Sequence, residues 1–424
     1  MTIILSIFQI ILMLLIILFE FKKKSVSVFL WAILLVIFGI MHLITCFIGN
    51  SQYPAEVLNE ASIYVILFML TYIITRLLLI NDNNSNVLDF KNDNEMYDNK
   101  IYYKILIIFL IVVVIYQVYN LIVNAGGIFN TSWGNMRKYS LSQKYFSFSQ
   151  TFTTLFFSSS SCLLIALKRK NKKEIIMISI LILLEVIISR NRIEILPLFC
   201  AFLAFYISKL KTITPKIIST LSIILIVVIY SVYGLRVFRH YGTLSTFINE
   251  FKLSDFNEKI KYQIKTDDGE LGLKNHFYYF INNDNNFKNF GKGNTYKRML
   301  LVWLPTGWSY GLKPDDFAIS MGYAVNPTIV GYSVHPTLFG DCYANFGFIG
   351  FIGMGIFWSI YVTAIDFMIK RKKDKYFKYS LVSICSISYI IIGRGSVYNG
   401  FVWLFFGMII LHILNFLTKF KIKN

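Results

Sequence analysis

Five arginines stand at what reads as the outer ends of long apolar runs of this chain, where a charge is costly unless something holds it. Arg190 and Arg192 lie in the turn SRNR, Arg236 and Arg239 close an apolar stretch beside His240, and Arg394 lies in the turn GRGS. At spacings of three and four, Arg236, Arg239 and His240 share one helix face. A guanidinium keeps its charge and offers two parallel donors, which suits it to gripping pyrophosphate. Glu185 lies in the preceding apolar run and Glu194 follows Arg190 at helical spacing. Either could pair with these arginines and orient them, although a proton-coupled transporter would also bury carboxylates. Taken singly, each arginine could be an interfacial cation snorkelling to headgroups. Three clusters on one side of a membrane point instead to a shared anionic ligand. Arg76, near the inner end of the third apolar run, is expected to snorkel.

A candidate proton acceptor is the second feature. His335 stands in SVHPTLFGD, where a long polar segment returns to an apolar run. A neutral imidazole there could take a proton from a sugar hydroxyl, although most lone histidines are structural. Asp315 and Asp316 in KPDD are alternative bases or sugar-binding groups, and Asp341 follows His335 within two helical turns. Adjacent loop aspartates are most often simply solvated. His42 and His412 lie in apolar runs without obvious charged partners and read as structural.

These residues need a scaffold, and apolar runs long enough to cross the roughly 30 Å hydrocarbon core recur along nearly the whole chain. Candidate spans are 2–21, 26–48, 59–80, 101–123, 147–167, 174–190, 193–210, 216–238, 336–366, 378–393 and 398–418. Basic clusters at 22–24, 168–173, 209–216, 370–378 and 419–423 all fall on the cytoplasmic side if the N-terminus is outside and the C-terminus inside. Merging the sixth and seventh spans would break that pattern, so a tight turn near Asn191 is required. The expected fold is an all-α polytopic membrane protein with about eleven transmembrane helices. Spans 1–8 occupy 1–238, a large extracytoplasmic loop 239–335, and spans 9–11 occupy 336–424. That loop is far longer than ordinary helix connections. Its Trp, Phe and Tyr content argues for short helices resting on the membrane surface.

Composition excludes other classes. With 56% hydrophobic and 15% charged residues, the chain cannot cover a soluble globule with polar surface. The net charge of +19 follows membrane topology and implies no nucleic-acid partner. Lys22–Lys24 follow the first apolar run instead of preceding it, so that run reads as a retained helix and not a secretory signal. None of the five cysteines forms a CxxC pair, and neither a disulfide framework nor a zinc site is suggested. No Walker A, GxGxxG or metal-ligand pattern stands out, so no nucleotide, metal or other cofactor is expected.

The stretch HPTLFGDCYANFGFIGFIGMGIF (335–357) resembles the end of the long loop and following helix in bacterial oligosaccharide repeat-unit polymerases, the Wzy-type O-antigen and capsule polymerases. Pro336, Gly340, Tyr343 and Asn345–Gly347 carry the likeness. LPTGWSYGLKPDD (304–316) is similar to the Leu-Pro and Lys-Pro signals of the same loop, and SRNR to a turn shared with O-antigen ligases. Basic loop repeats found in some members are not evident. The resemblance implies a GT-C-like, metal-independent, inverting glycosyltransferase of the bacterial cytoplasmic membrane. Its substrates would be undecaprenyl-pyrophosphate oligosaccharides within the lipid bilayer, and a chain-length regulator and a flippase are possible partners. The arginines would neutralise the departing pyrophosphate while His335, Asp316 or Asp341 receives the acceptor's proton. A ligase would share the arginines and the loop, and a flippase is a rival of another class.

Overall fold

The computed structural model describes residues 2–49, 51–80, 86–90, 98–125, 129, 148–189, 195–210, 219, 223, 227, 230–231, 233–238, 240–265, 271–286, 291–304, 308–328 and 333–420. Every element among them is helical. The first three runs form α1 (Thr2–Lys22), a helix composed of α2 (Val28–Leu34), a π-turn (Leu35–Ile40) and α3 (Met41–Ile48), and α4 (Ala55–Leu79). There follow α5 (Lys100–Ala125), α6 (Phe148–Arg169), α7 (Lys172–Ser189) and α8 (Leu196–Lys209). α7 ends at Ser189 and α8 begins at Leu196; the expected turn near Asn191 lies outside the described residues. Most of 216–238 lies outside the described residues. The long loop carries short helices: α9 (Leu244–Glu250), α10 (Leu253–Lys265), α11 (Lys274–Asn282), α12 (Asn294–Leu300) and α13 (Phe317–Val325). The chain closes with α14 (Thr337–Lys370), α15 (Lys375–Arg394) and α16 (Val397–Phe420).

Six helices among the described residues are long and apolar enough to cross a membrane: α1, α2–α3, α4, α14, α15 and α16. The protein is a helical membrane protein. It divides into two compact units, one of residues 1–87, 267–371 and 385–405, the other of 88–266, 372–384 and 406–424. The expected 239–335 loop is therefore shared, with α9 and α10 in the second unit and α11–α13 in the first.

In the first unit, α14 packs along α4, and α1 lies against α4 as well. The α4–α14 contact is close because Gly355 has no side chain. A Cβ there would collide with Thr71 and come within 2.7 Å of the Phe68 carbonyl oxygen. Small residues at such crossings let backbones approach, the usual means of helix association in lipid. Thr71 Oγ1 donates across the contact to the Ile352 carbonyl at 3.2 Å.

At 34 residues, a straight α14 would be about 51 Å long, well beyond the hydrocarbon core. It is not straight. Gly347 adopts φ 65°, ψ −162°, a region open essentially to glycine alone, and breaks the helix in two. Phe339 and Phe351 would sit about 18 Å apart along a continuous helix at 1.5 Å rise per residue. Their ring centroids are 5.9 Å apart, so the two arms meet at a sharp elbow. Aromatic rings fill its inside: Phe68 from α4, Phe38 from the π-turn and Phe277 from α11 all contact Phe339. Loop helix α11 is thus part of the core, with Lys274, Phe277, Tyr278, Phe280 and Ile281 buried. For α11, this corrects the expectation of loop helices resting on the membrane surface.

Arg76 also departs from expectation. It does not snorkel; its side chain is 0% exposed. Arg76 Nε donates to Glu20 Oε1 at 2.9 Å, Nη2 to Glu20 Oε2 at 3.0 Å and Nη1 to Thr363 Oγ1 at 2.7 Å. Nη2 also bonds Asp366. Tyr72 and Ser25 hydroxyls donate to Glu20 and Asp366 at 2.7 and 2.6 Å. One guanidinium thereby ties α1, α4 and the long arm of α14 together at one end of each.

The second unit packs α6 against α5, α7 and α8. Ser158–Ser161 of α6 are buried, and Ser383 of α15 donates to the Ser160 carbonyl at 3.4 Å. Small hydroxyl side chains serve this contact as Gly355 serves the other.

Candidate functional site

The conspicuous convergence in the first unit is around the start of α14. His335 and Pro336 lead into Thr337, a β-branched residue at φ 66°. That is a strained backbone, and such outliers persist only where surroundings over-determine them. Two contacts do so. The Thr337 N–H donates to the Gly395 carbonyl at 2.8 Å, joining SVHPT to the GRGS turn that holds Arg394. The His276 ring donates from Nδ1 to the His335 carbonyl at 3.2 Å. His335 and Arg394 are both half-buried.

His276 is a residue the sequence reading passed over. A backbone carbonyl accepts only, so the Nδ1 contact fixes the proton there and leaves Nε2 with its lone pair. Ring nitrogens are assigned their roles by such partners. Burial lowers the His276 pKa below the ordinary histidine value, opposed by the His335 carbonyl bond. The residue is therefore neutral and tautomerically set, the state a general base requires. Its only sequence signal was a histidine among aromatics in LKNHFYYF.

Asp341 lies one turn further along α14 and is fully buried. Its Oδ1 accepts from Asn345 Nδ2 at 2.8 Å, and Asn345 in turn bonds Thr295 of α12 through Nδ2 to Oγ1 at 3.1 Å. Oδ2 is buried with no hydrogen-bond partner among the described residues. Asp316 is the N-cap of α13: its carboxylate accepts from the Ala318 N–H at 2.9 Å. That is a structural duty worth about 1 kcal/mol. Asp315 is exposed.

Two cations line the same region from the loop. Arg298 of α12 lies over the Tyr398 ring at 4.7 Å and donates to the Pro314 carbonyl. Lys313 Nζ donates to the Leu304 carbonyl at 2.7 Å, and burial with nearby Arg298 lowers its pKa.

The remaining sequence-derived residues are placed as follows. Arg236 is half-buried in the second unit, and His240 in the same unit has Nε2 3.4 Å from Gln263 Nε2. Glu185 falls on α7, with its side chain outside what is described. Arg190, Arg192, Glu194 and Arg239 lie outside the described residues. His42 is buried and bonded through Nε2 to Ser62 Oγ at 2.7 Å and through Nδ1 to the Tyr278 hydroxyl. His412 bonds the Met408 carbonyl from Nδ1 at 2.7 Å. Among the described residues no group of three or more His, Cys, Asp or Glu is arranged to hold a metal ion.

No family model, no curated protein and no solved structure matches the chain.

Proposed function

We propose that this protein joins lipid-linked oligosaccharides, as a polymerase of undecaprenyl-pyrophosphate-linked repeat units. The reading includes about eleven spans with the N-terminus outside, a count that rests on apolar length and the distribution of basic residues. The observation that carries it is the meeting of segment 335–337 with His276 on one side and the Arg394 turn on the other. A neutral imidazole and an arginine-bearing turn, both bonded to segment 335–337, would supply the two groups that metal-independent glycosyl transfer needs.

In this reaction the acceptor hydroxyl oxygen forms a bond to the donor's anomeric carbon with inversion. The bond from that carbon to the pyrophosphate oxygen breaks, and undecaprenyl pyrophosphate leaves. The hydroxyl proton passes to an imidazole, His276 or His335. Arg394 stabilises the leaving charge, the larger catalytic contribution. The base adds roughly 10²–10⁴-fold.

Deleting the gene in its native strain and resolving surface glycan on a gel tests the reading. A polymerase mutant retains a single capped repeat unit; complete loss of surface glycan overturns the polymerase in favour of a flippase or ligase. One feature favours the flippase as second reading. Helices broken in the manner of α14 at Gly347 line substrate sites in many transporters.

A further inference from the structure

The loop stretch after α12 shows its largest apolar side chains to the outside. Leu300 is 78% exposed, Trp303 65%, Trp308 74%, Tyr310 95% and Leu312 62%. Exposed hydrophobic groups at this density mark an interaction surface. The stretch is nevertheless fastened in place. Arg298 bonds the Pro314 carbonyl, Lys313 bonds the Leu304 carbonyl, and the Trp303 indole N–H donates to the Leu300 carbonyl at 3.1 Å.

Its position relative to the spans is set by α12. Tyr296 lies with its ring centroid 5.0 Å from Phe346 and 5.9 Å from Phe357, one on each arm of α14. Phe357 lies well inside the long arm of a helix apolar enough to cross the membrane. Arg298, half a turn on, lies over Tyr398, the second residue of α16. The Arg298–Tyr398 contact therefore sets the base of the exposed stretch at the end where α16 begins, with Tyr296 packed against both arms of α14 beside the elbow. On the long arm of α14, Ile349 is also strongly exposed.

Trp and Tyr beside Leu, flanked by a lysine, is the composition of a membrane–water boundary, where amphipathic rings sit among headgroups. A sugar-stacking platform would account for the rings but leave Leu300 and Leu312 in water. We propose that residues 300–304 and 308–312 form an interfacial wedge, seated in the headgroup–acyl boundary of the bilayer at the end where α16 begins. The occupant of this surface is lipid, and the wedge holds the loop that carries Arg298 and Lys313 against the membrane. It stands independently of any catalytic reading.

The test uses the full chain reconstituted into vesicles of phosphatidylcholine and phosphatidylglycerol. An environment-sensitive fluorophore is placed at Trp308→Cys or Leu312→Cys, with Asp315→Cys as the water reference and Ile349→Cys as the lipid reference. Emission at 308 and 312 is expected to be blue-shifted relative to 315. Iodide should quench both positions several-fold less than 315, and nitroxide near the headgroup should quench them more than nitroxide deep in the chain. Iodide access equal to that of Asp315, without lipid quenching, overturns the wedge. So does shielding that comes only from added soluble oligosaccharide. Label-free confirmation comes from Trp303→Phe/Trp308→Phe, which should remove the fraction of native tryptophan emission quenched by shallow nitroxide; an unchanged fraction also overturns it.

Discussion

Replacing Arg76 by Met should destabilise the protein by about 3–5 kcal/mol, the usual cost of leaving a buried charge without its partner. The magnitude follows from the surroundings. Glu20 and Asp366 are both fully buried, and Arg76 is the cation paired with each. Without it, two carboxylates remain in an apolar interior with, among the described residues, Tyr72, Ser25 and the Val26 N–H as donors. Arg76→Lys should fall between, since an ammonium keeps the charge but cannot bond Glu20 in parallel while reaching Thr363. The triple variant Glu20→Gln/Arg76→Met/Asp366→Asn should recover most of the loss, because removing a whole buried pair is often neutral. The assay is unfolding in mixed micelles with increasing dodecyl sulfate, followed by tryptophan fluorescence. A loss for Arg76→Met within the range of about 0–1 kcal/mol seen for exposed pairs would refute the buried triad and restore snorkelling. A triple variant no better than the single one would refute the charge-imbalance account.

Other predictions are smaller in scope. His276→Gln should remove an acid-side dependence of stability. Because burial depresses the folded-state pKa of His276, its contribution is full above the ordinary value and is lost as pH falls toward the depressed one; a pH series of unfolding midpoints, unchanged by the substitution, would contradict this. If the imidazole is also the base, glycan elongation in His276→Gln should drop by roughly 10²–10⁴-fold with protein level in the membrane preserved, measured as chain length on a gel. Gly347→Ala should cost about 1–3 kcal/mol through backbone strain alone, since a Cβ there meets nothing within 4 Å; the same unfolding titration reads it. Gly355→Val should be worse, because its side chain must displace Thr71 and the Phe68 carbonyl, and loss of the folded band on size-exclusion chromatography would show it.

The positions of the long helices were legible because apolar length is a local property: α1, α4, α15 and α16 begin and end within a few residues of the apolar runs. Pairing was not. Glu20 sits in an apolar run and Asp366 lies 290 residues beyond Arg76, so no local pattern announces that they meet. The elbow was hidden for a related reason. Gly347 reads as one more small residue in a glycine-containing helix, and only its φ/ψ shows that the run from 337 to 370 is two helices. At the candidate site, His335 and Arg394 were legible as charged or titratable residues beside turns. The bond that joins their turns depends on a backbone N–H and a carbonyl, groups every residue carries. His276 was invisible because its role comes from the His335 carbonyl and not from neighbours in sequence.

The elbow makes α14 a crank. Its long arm is bolted at Asp366 to the triad of α1 and α4. A continuous helix would carry that fixing straight on to Thr337, but the positive-φ glycine interrupts it. The angle of the short arm is set instead by the rings wedged into the bend, Phe277 foremost. Phe277 belongs to the loop, one residue after His276. The short arm, which begins at the strained Thr337 backbone, is thus held through Phe277 by α11, and the long arm by the triad.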